Sequence, residues 1–441
     1  MFPLVYADLS TDVRVEIRDE VRARVVQTSG VLVAPVSKEL SFSPSTNARQ
    51  VILDNELQPT IKLKATDART VMSLQYNPRL ALTNVAGNDE PYALVYTGDR
   101  LPSDAGHLDV LHQSVLQLER QFSPHTRGAF LFSGLYGSAS ANTLVLQAPW
   151  DAENLPTVPR AVPLIPQIRL NVVGFYANAA VGHVVSSRTQ WQLQLVAMSY
   201  GTPTKEGREY FPTSRNSGVV FTLTHALTPR DAVEIAVTPE VTQTQPVGAA
   251  TPDVYLGSTW ARYRRKMTER SRVELAAGAT FVGVGAFGSE AQAGRLYPGA
   301  EAALVHSSVR GPVRTDAALV SRLVPWVNPF AGTLVQRSET VFAGRHGTQS
   351  MGLRAQGSFA WAFAPTVQSA DVNPVSYKQA YRMLAGEVAA ETKVASRIWL
   401  EVGTRLNWQT AVAQFPSLPG DILQLGGFVA CSYKPEPAKQ P

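Results

Sequence analysis

The stretch Thr70-Val71-Met72-Ser73-Leu74-Gln75-Tyr76-Asn77-Pro78-Arg79-Leu80-Ala81-Leu82-Thr83 changes polarity every second residue. Met72, Leu74, Tyr76, Leu80 and Leu82 fall on one face of an extended chain; Ser73, Gln75, Asn77, Arg79 and Thr83 fall on the other. A helix would scatter both sets around its circumference, so this spacing specifies a strand with one apolar and one hydrated face. Trp191, Leu193 and Leu195 stand in the same way against Gln190, Gln192 and Gln194, and Val233, Ile235, Val237 and Val241 against Glu234, Thr238, Glu240 and Thr242. Toward the C-terminus Met351, Leu353, Phe359, Trp361 and Phe363 oppose Ser350, Arg354, Gln356 and Ser358. Ile398, Leu400, Val402, Leu406 and Trp408 then oppose Arg397, Glu401, Arg405, Asn407 and Gln409.

Between paired strands lie short polar segments suited to tight hairpins: Thr66-Asp67-Ala68-Arg69, Ser123-Pro124-His125-Thr126, Ser186-Ser187-Arg188-Thr189, Thr228-Pro229-Arg230-Asp231, Thr268-Glu269-Arg270-Ser271 and Val309-Arg310-Gly311-Pro312. Longer connections alternate with them, at 85–106, 141–166, 201–216, 243–252 and 283–294. The chain therefore reads as an up-and-down sheet whose two ends differ in loop length.

The 441 residues are 44% hydrophobic and 17% charged, below the roughly 25% charged usual for a soluble domain. No apolar run approaches the roughly 18 residues of a membrane-spanning helix. If a bilayer is crossed, strands must cross it, and only a closed barrel satisfies their backbone groups in hydrocarbon. The lone Cys431 excludes a disulfide framework and a cysteine-based zinc site, and reads as a small apolar filler. The net charge of +5 is dispersed, with no nucleic-acid footprint. Met1-Phe2-Pro3-Leu4 lacks the basic start and apolar core of a secretory signal.

Amphipathic strands, short turns, long loops and a last strand ending in an aromatic together resemble Gram-negative outer-membrane β-barrel proteins of the porin-like kind. The most local piece is Gln424-Leu425-Gly426-Gly427-Phe428-Val429-Ala430-Cys431-Ser432-Tyr433, similar to the terminal strand read by the barrel-assembly machinery. It departs from the pattern in being followed by a polar tail, residues 434–441. The resemblance implies an all-β transmembrane antiparallel barrel of about sixteen strands (range 14–18) over residues 57–433. It also implies short turns on the periplasmic side, long loops outside, location in the bacterial outer membrane, and contact with outer-membrane lipid and lipopolysaccharide. Whether monomers form homo-oligomers is left open. Residues 1–56 fit this scheme less well, because Val13-Arg14-Val15-Glu16-Ile17-Arg18 alternates but Asp19-Glu20, Pro35 and Pro44 follow. They read as a periplasmic extension or a lumen plug, the opening strand of the barrel being the third option. Tyr76, Tyr136, Tyr200, Trp326, Trp361, Trp408 and Tyr433 near strand ends fit an interfacial aromatic belt, as well as ordinary sheet aromatics.

His107, His112, His125, His183, His225, His306 and His346 show no metal-ligand spacing, with His125 placed in a turn and His107 and His346 in loops. Neither a Gly-x-Ser-x-Gly elbow nor a phosphate-binding loop is present, so no catalytic, metal or cofactor residue is assigned and the chain is read as a non-enzyme. The charged residues expected to line the lumen are Lys62, Lys64, Arg79, Glu119, Glu234, Glu240, Glu274, Arg354, Arg397, Glu401 and Arg405. Such residues can set the field met by a passing ion, or brace the wall as cross-strand pairs. The leading expectation is a porin-like channel for small hydrophilic solutes or ions. The alternative is a plugged structural or recognition barrel whose long loops, above all 141–166 with its prolines, bind surface partners.

Overall fold

The computed structural model describes residues 10–29, 47–86, 107–140, 169–204, 213–245, 253–284, 292–327, 334–363, 381–411 and 421–434. They form one antiparallel sheet of 18 strands. In chain order these are β1 (Ser10–Ser29), β2 (Asn47–Thr66), β3 (Thr70–Ala86), β4 (His107–Ser123), β5 (Thr126–Ser140), β6 (Arg169–Val184), β7 (Thr189–Gly201), β8 (Thr213–Ala226) and β9 (Asp231–Gln245). There follow β10 (Val254–Thr268), β11 (Ser271–Val284), β12 (Gln292–Arg310), β13 (Val313–Val327), β14 (Leu334–Gly347), β15 (Met351–Phe363), β16 (Tyr381–Lys393), β17 (Ile398–Ala411) and β18 (Asp421–Tyr433).

Each strand pairs with its sequence neighbours, and β1 also pairs with β18, from Ile17 opposite Tyr433 to Ser29 opposite Asp421. The sheet thereby closes without a free edge, and every strand's ladder groups have partners on both sides. The expected architecture holds, with the strand number at the top of the expected range.

The expected boundary between residues 56 and 57 is corrected. Ser10–Ser29 and Asn47–Thr66 are wall strands, paired with one another from Ser10 opposite Thr66 to Ser29 opposite Asn47. Neither an extension nor a plug occupies 10–29 or 47–56; these residues are the opening hairpin. The reason the alternation is hard to follow here is Asp19, a carboxylate in the outward row opposite Cys431 and Leu57.

All six short polar segments join strands where the sequence puts them, and even-numbered strands reach the next through two to four residues. Asp67 shows how such a turn is held: its Oδ1 accepts from the backbone N–H of Arg69 and of Thr70, both at 2.6 Å, and its own N–H donates to Thr70 O. The Arg69 amide is the chief cause holding this carboxyl below the usual aspartate range. Gly311 has φ 58°, the left-handed region that favours glycine, and so permits the two-residue link from β12 to β13. The longer connections at 87–106, 141–168 and 246–252, and residues 435–441, lie outside the described residues.

The interior is packed against the wall. Ile52, Ala360, Phe428 and Ala430 are among the buried apolar side chains. On the inner face of β10 the Trp260 indole lies over Gly278 and Gly299, and a Cβ at Gly299 would overlap the ring atom Cη2. Gly299→Val is therefore expected to displace the ring and cost roughly 1–3 kcal/mol by overpacking. The denaturant midpoint and the tryptophan emission should both shift; an unchanged midpoint would show that the ring has another place to go.

Candidate functional site

The register separates two faces around the whole ring. Outward are Val13, Leu63, Leu74, Leu195, Phe221, Ile235, Leu275, Leu304, Phe342, Leu353, Val402 and Val429, all large apolar side chains left exposed. Their immediate chain neighbours, such as Arg14, Lys62, Gln194, Glu234, Glu274 and Arg354, point inward. Water would penalise an apolar girdle of this extent, whereas hydrocarbon favours it. This is a membrane-spanning β-barrel. Strands of 13 to 20 residues exceed the roughly 9–11 residues needed to cross a bilayer at a tilt.

Several belt aromatics take their expected face. Tyr76, Trp361 and Trp408 lie in the outward row, and Tyr433 ends it on β18. Tyr200 does not: it lies in the inward row of β7 and is buried. The side chain of Trp326 lies outside the described residues.

Ten of the eleven expected lumen residues sit in the inward rows. Lys62 donates to Glu16 at 2.9 Å, Arg79 pairs with Glu56 at 2.6 Å, and Gln117 donates to Glu119 at 2.7 Å. Glu234 and Glu274 both meet Arg264, Glu240 accepts from Asn216, and Lys64 is exposed inside. Arg354, Glu401 and Arg405 belong to an array at the seam of the barrel. Arg397 is the correction: it lies in the short link between β16 and β17, where Nη1 donates to the Tyr433 hydroxyl at 3.4 Å. Arg397 precedes Ile398, the first residue of β17, so the two-residue alternation does not apply to it.

Among the described residues the seam array is the most extended charged one, and it crosses between first and last strands. Glu401 on β17 pairs with Arg18 on β1 at 2.7 Å and with Arg354 on β15 at 2.6 Å. Arg354 also pairs with Glu387 on β16 at 2.7 Å, and Glu387 with Arg405. Glu20 on β1 gathers Arg18 at 2.7 Å, Arg405 at 2.9 Å and Arg22. Arg22 continues to Glu56, and Glu56 to Arg79; Arg24 pairs with Asp54 at 3.0 Å. Contacts between β17 and β1 pass over β18, whose inward residues there include Gly426 and Ala430, too small to block them. Arg405 also stacks on the Phe428 ring at 4.3 Å.

A second array joins β9 to β12, where Arg262 bridges Glu234 at 3.1 Å and Glu301 at 3.2 Å, and Arg272 meets Glu274 at 3.0 Å. On β13 and β14, Arg322 and Arg337 meet Glu339 at 2.7 and 2.8 Å. By contrast the inward rows of β6 to β8 carry Asn178, Gln190, Gln192, Gln194, Thr222 and Thr224. The lumen thus has charged arcs and an amide-and-hydroxyl arc.

The two charges are not equally presented. The side chains of Glu20, Glu56, Glu274 and Glu401 keep 4 to 9% of their surface accessible, those of Arg18, Arg264, Arg354 and Arg405 keep 27 to 40%. At Glu20, Glu274 and Glu401 the acid lies against the wall with more accessible guanidiniums over it, whereas Arg24, Arg79, Arg322 and Arg337 keep only 3 to 17% and lie nearly as deep as their partners.

Sequence reasoning missed Arg18, Glu20, Arg22, Arg24 and Glu56 because they fall in residues assigned to an extension. The available signal was that Arg14, Glu16, Arg18, Glu20, Arg22 and Arg24 keep strict two-residue spacing straight through Asp19. His346 is also corrected, from a loop to the outward row of β14. Among the described residues no three His, Cys, Asp or Glu side chains gather as a metal site.

No protein-family model and no curated protein matches the chain. Among solved structures it is similar to OccAB4 of Acinetobacter baumannii, at 10% identity and TM-score 0.37, over 95% of this chain and 98% of that one. It is similar to OccK7 (OpdD) of Pseudomonas aeruginosa, at 7% identity and TM-score 0.42, over 97% and 99%. A BenF-like porin from Pseudomonas fluorescens Pf-5 matches at 8% identity and TM-score 0.38, over 96% and 99%. At these identities no residue's role transfers from one chain to another.

Proposed function

We propose that this chain is an outer-membrane channel of the bacterial envelope that passes small hydrophilic solutes, with a preference for anions. Barrels of about 16–18 strands leave an aqueous lumen, and the single observation that carries the preference is the arrangement of acids beneath arginines. A solute passing the wall meets guanidinium edges first, and their fork of N–H donors suits carboxylate or phosphate oxygens. The paired carboxylates hold these arginines in place and limit how tightly an anion is held, so binding stays weak enough for release.

In this reading the short-turn end faces the periplasm, the longer connections face outward, and β18 with its terminal Tyr433 is the segment offered to the assembly machinery. Lipopolysaccharide then surrounds the long-connection end.

The test is planar-bilayer recording of the folded protein under a salt gradient. Discrete conductance steps with a reversal potential toward that of chloride are expected. Arg354→Glu, at the most exposed arginine of the seam array, should move that potential toward the cation side. Correctly folded protein that gives no steps would overturn the channel reading and favour a plugged recognition barrel.

A further inference from the structure

Outward-facing residues near the short-turn ends form a second pattern, unrelated to the lumen. On four strands a histidine stands in the outward row within the last turnward residues of its strand: His183 on β6, His225 on β8, His306 on β12 and His346 on β14. Each imidazole is fixed in the same way. Nδ1 lies 2.9 Å from Thr126 Oγ1 for His183, 2.9 Å from Thr189 Oγ1 for His225, 2.8 Å from Ser271 Oγ for His306 and 2.8 Å from Thr315 Oγ1 for His346. The hydroxyl in every case lies on the preceding odd strand, directly opposite in register.

Arginine takes the place of histidine in the one intervening pair, β9–β10, and in β3–β4, which precedes the series. Arg120 stands opposite Thr70 between β3 and β4, and Arg265 opposite Asp231 between β9 and β10, the latter as an ion pair at 3.8 Å. From β3 to β14 every such strand pair thus presents a basic side chain outward at one end. On the side toward the middle of the wall the outward rows are apolar, with Val181, Leu223, Leu304 and Phe342; on the turnward side Val185, Leu227 and Met267 are also exposed.

We propose that this ring is a girdle that binds the phosphates of bilayer phospholipids at the periplasmic headgroup level. The proposal rests on the membrane reading of the barrel. In the proposed tautomer the hydroxyl donates to Nδ1, so that the neutral ring carries its proton on Nε2. Each histidine then offers one oriented N–H at the boundary between hydrocarbon and headgroups, where the phosphate oxygens lie. Hydrogen-bond complementarity selects the occupant: N–H donors on histidine and arginine at successive strand pairs match a layer of phosphodiester oxygens, which only accept. The hydroxyl partners fix each ring before lipid arrives, so little rotamer freedom is lost on contact.

The test counts phospholipids retained by native mass spectrometry after release from phosphatidylethanolamine–phosphatidylglycerol vesicles. The four-site variant His183→Phe, His225→Phe, His306→Phe, His346→Phe keeps an interfacial aromatic but removes the N–H. It is expected to retain fewer phospholipids, one fewer for each imidazole removed, with conductance unchanged. Glutamine at the same positions can turn an amide N–H outward and should restore most of the loss. The single variants His225→Phe and His346→Phe give the same readout where the four-site variant folds poorly. Wild-type retention in the phenylalanine variants overturns the girdle and leaves the barrel in the membrane. Wild-type protein that stays outside the vesicles overturns the membrane reading itself.

Discussion

Glu20→Ala is expected to remove about 3 kcal/mol of barrel stability, read as a lower denaturant midpoint and a lower temperature for the heat-dependent shift in gel migration. Glu20 is buried and is met by Arg18, Arg22 and Arg405, the last reaching from β17 across β18. Removing it leaves three guanidiniums converging on one another, each with one remaining carboxylate: Glu401 for Arg18, Glu56 for Arg22 and Glu387 for Arg405. The three arginines keep 18 to 30% of their side-chain surface accessible, so lumen water relieves part of the cost and the lower end of the range for buried pairs applies. Asp12→Ala is the control. Its partner Arg14 lies 2.7 Å away, but both side chains are more than a third exposed, at 35 and 37%, and such pairs contribute about 0–1 kcal/mol. A loss at Glu20 no larger than at Asp12 would show that backbone pairing of β1 with β18 holds the seam alone.

Two adjacent residues of β8 should respond oppositely to the same side chain. Phe221 faces outward and Thr222 inward, as their register with Leu193 and Gln192 on β7 requires. Phe221→Arg is expected to cost roughly 2–4 kcal/mol, the penalty of a cation near the middle of the apolar girdle. Thr222→Arg should leave folding within about 1 kcal/mol, because its guanidinium enters a hydrated lumen, and should strengthen anion preference in bilayer recordings. Equal losses from both substitutions would mean that the two faces of this strand see the same solvent, which a membrane barrel forbids.

The periodicity of Thr70–Thr83 was sufficient to assign those residues to faces, and the same reading placed Trp191 against Gln192 and Val233 against Glu234 correctly. Local polarity sufficed there because a strand's two faces are set by backbone geometry alone, without regard to its neighbours. Near strand ends that rule loses its force. Arg397 has the spacing of a lumen residue yet sits in a turn, and Tyr200 has the type of an interfacial aromatic yet turns inward. The opening hairpin was harder still, since the outward Asp19 breaks the pattern on the very strand that closes the ring.

The histidines show the limit most clearly. Read along the chain they are isolated residues with no motif spacing, and only strand pairing sets His183 beside Thr126 and His306 beside Ser271. The seam array is likewise invisible in one dimension, because Arg18 and Glu401 meet only when β1 returns to β18.

By itself the sequence determined that the chain is a two-faced antiparallel meander, where its tight turns fall, and which side chains share a face, since these follow from a period of two and from local turn chemistry. Tertiary structure alone decided that the meander closes on its first hairpin at eighteen strands, which arginine meets which acid, and which hydroxyl fixes which imidazole. Those contacts depend on the register between strands distant in the chain. Register is a property of pairs, and no single strand's polarity pattern contains it.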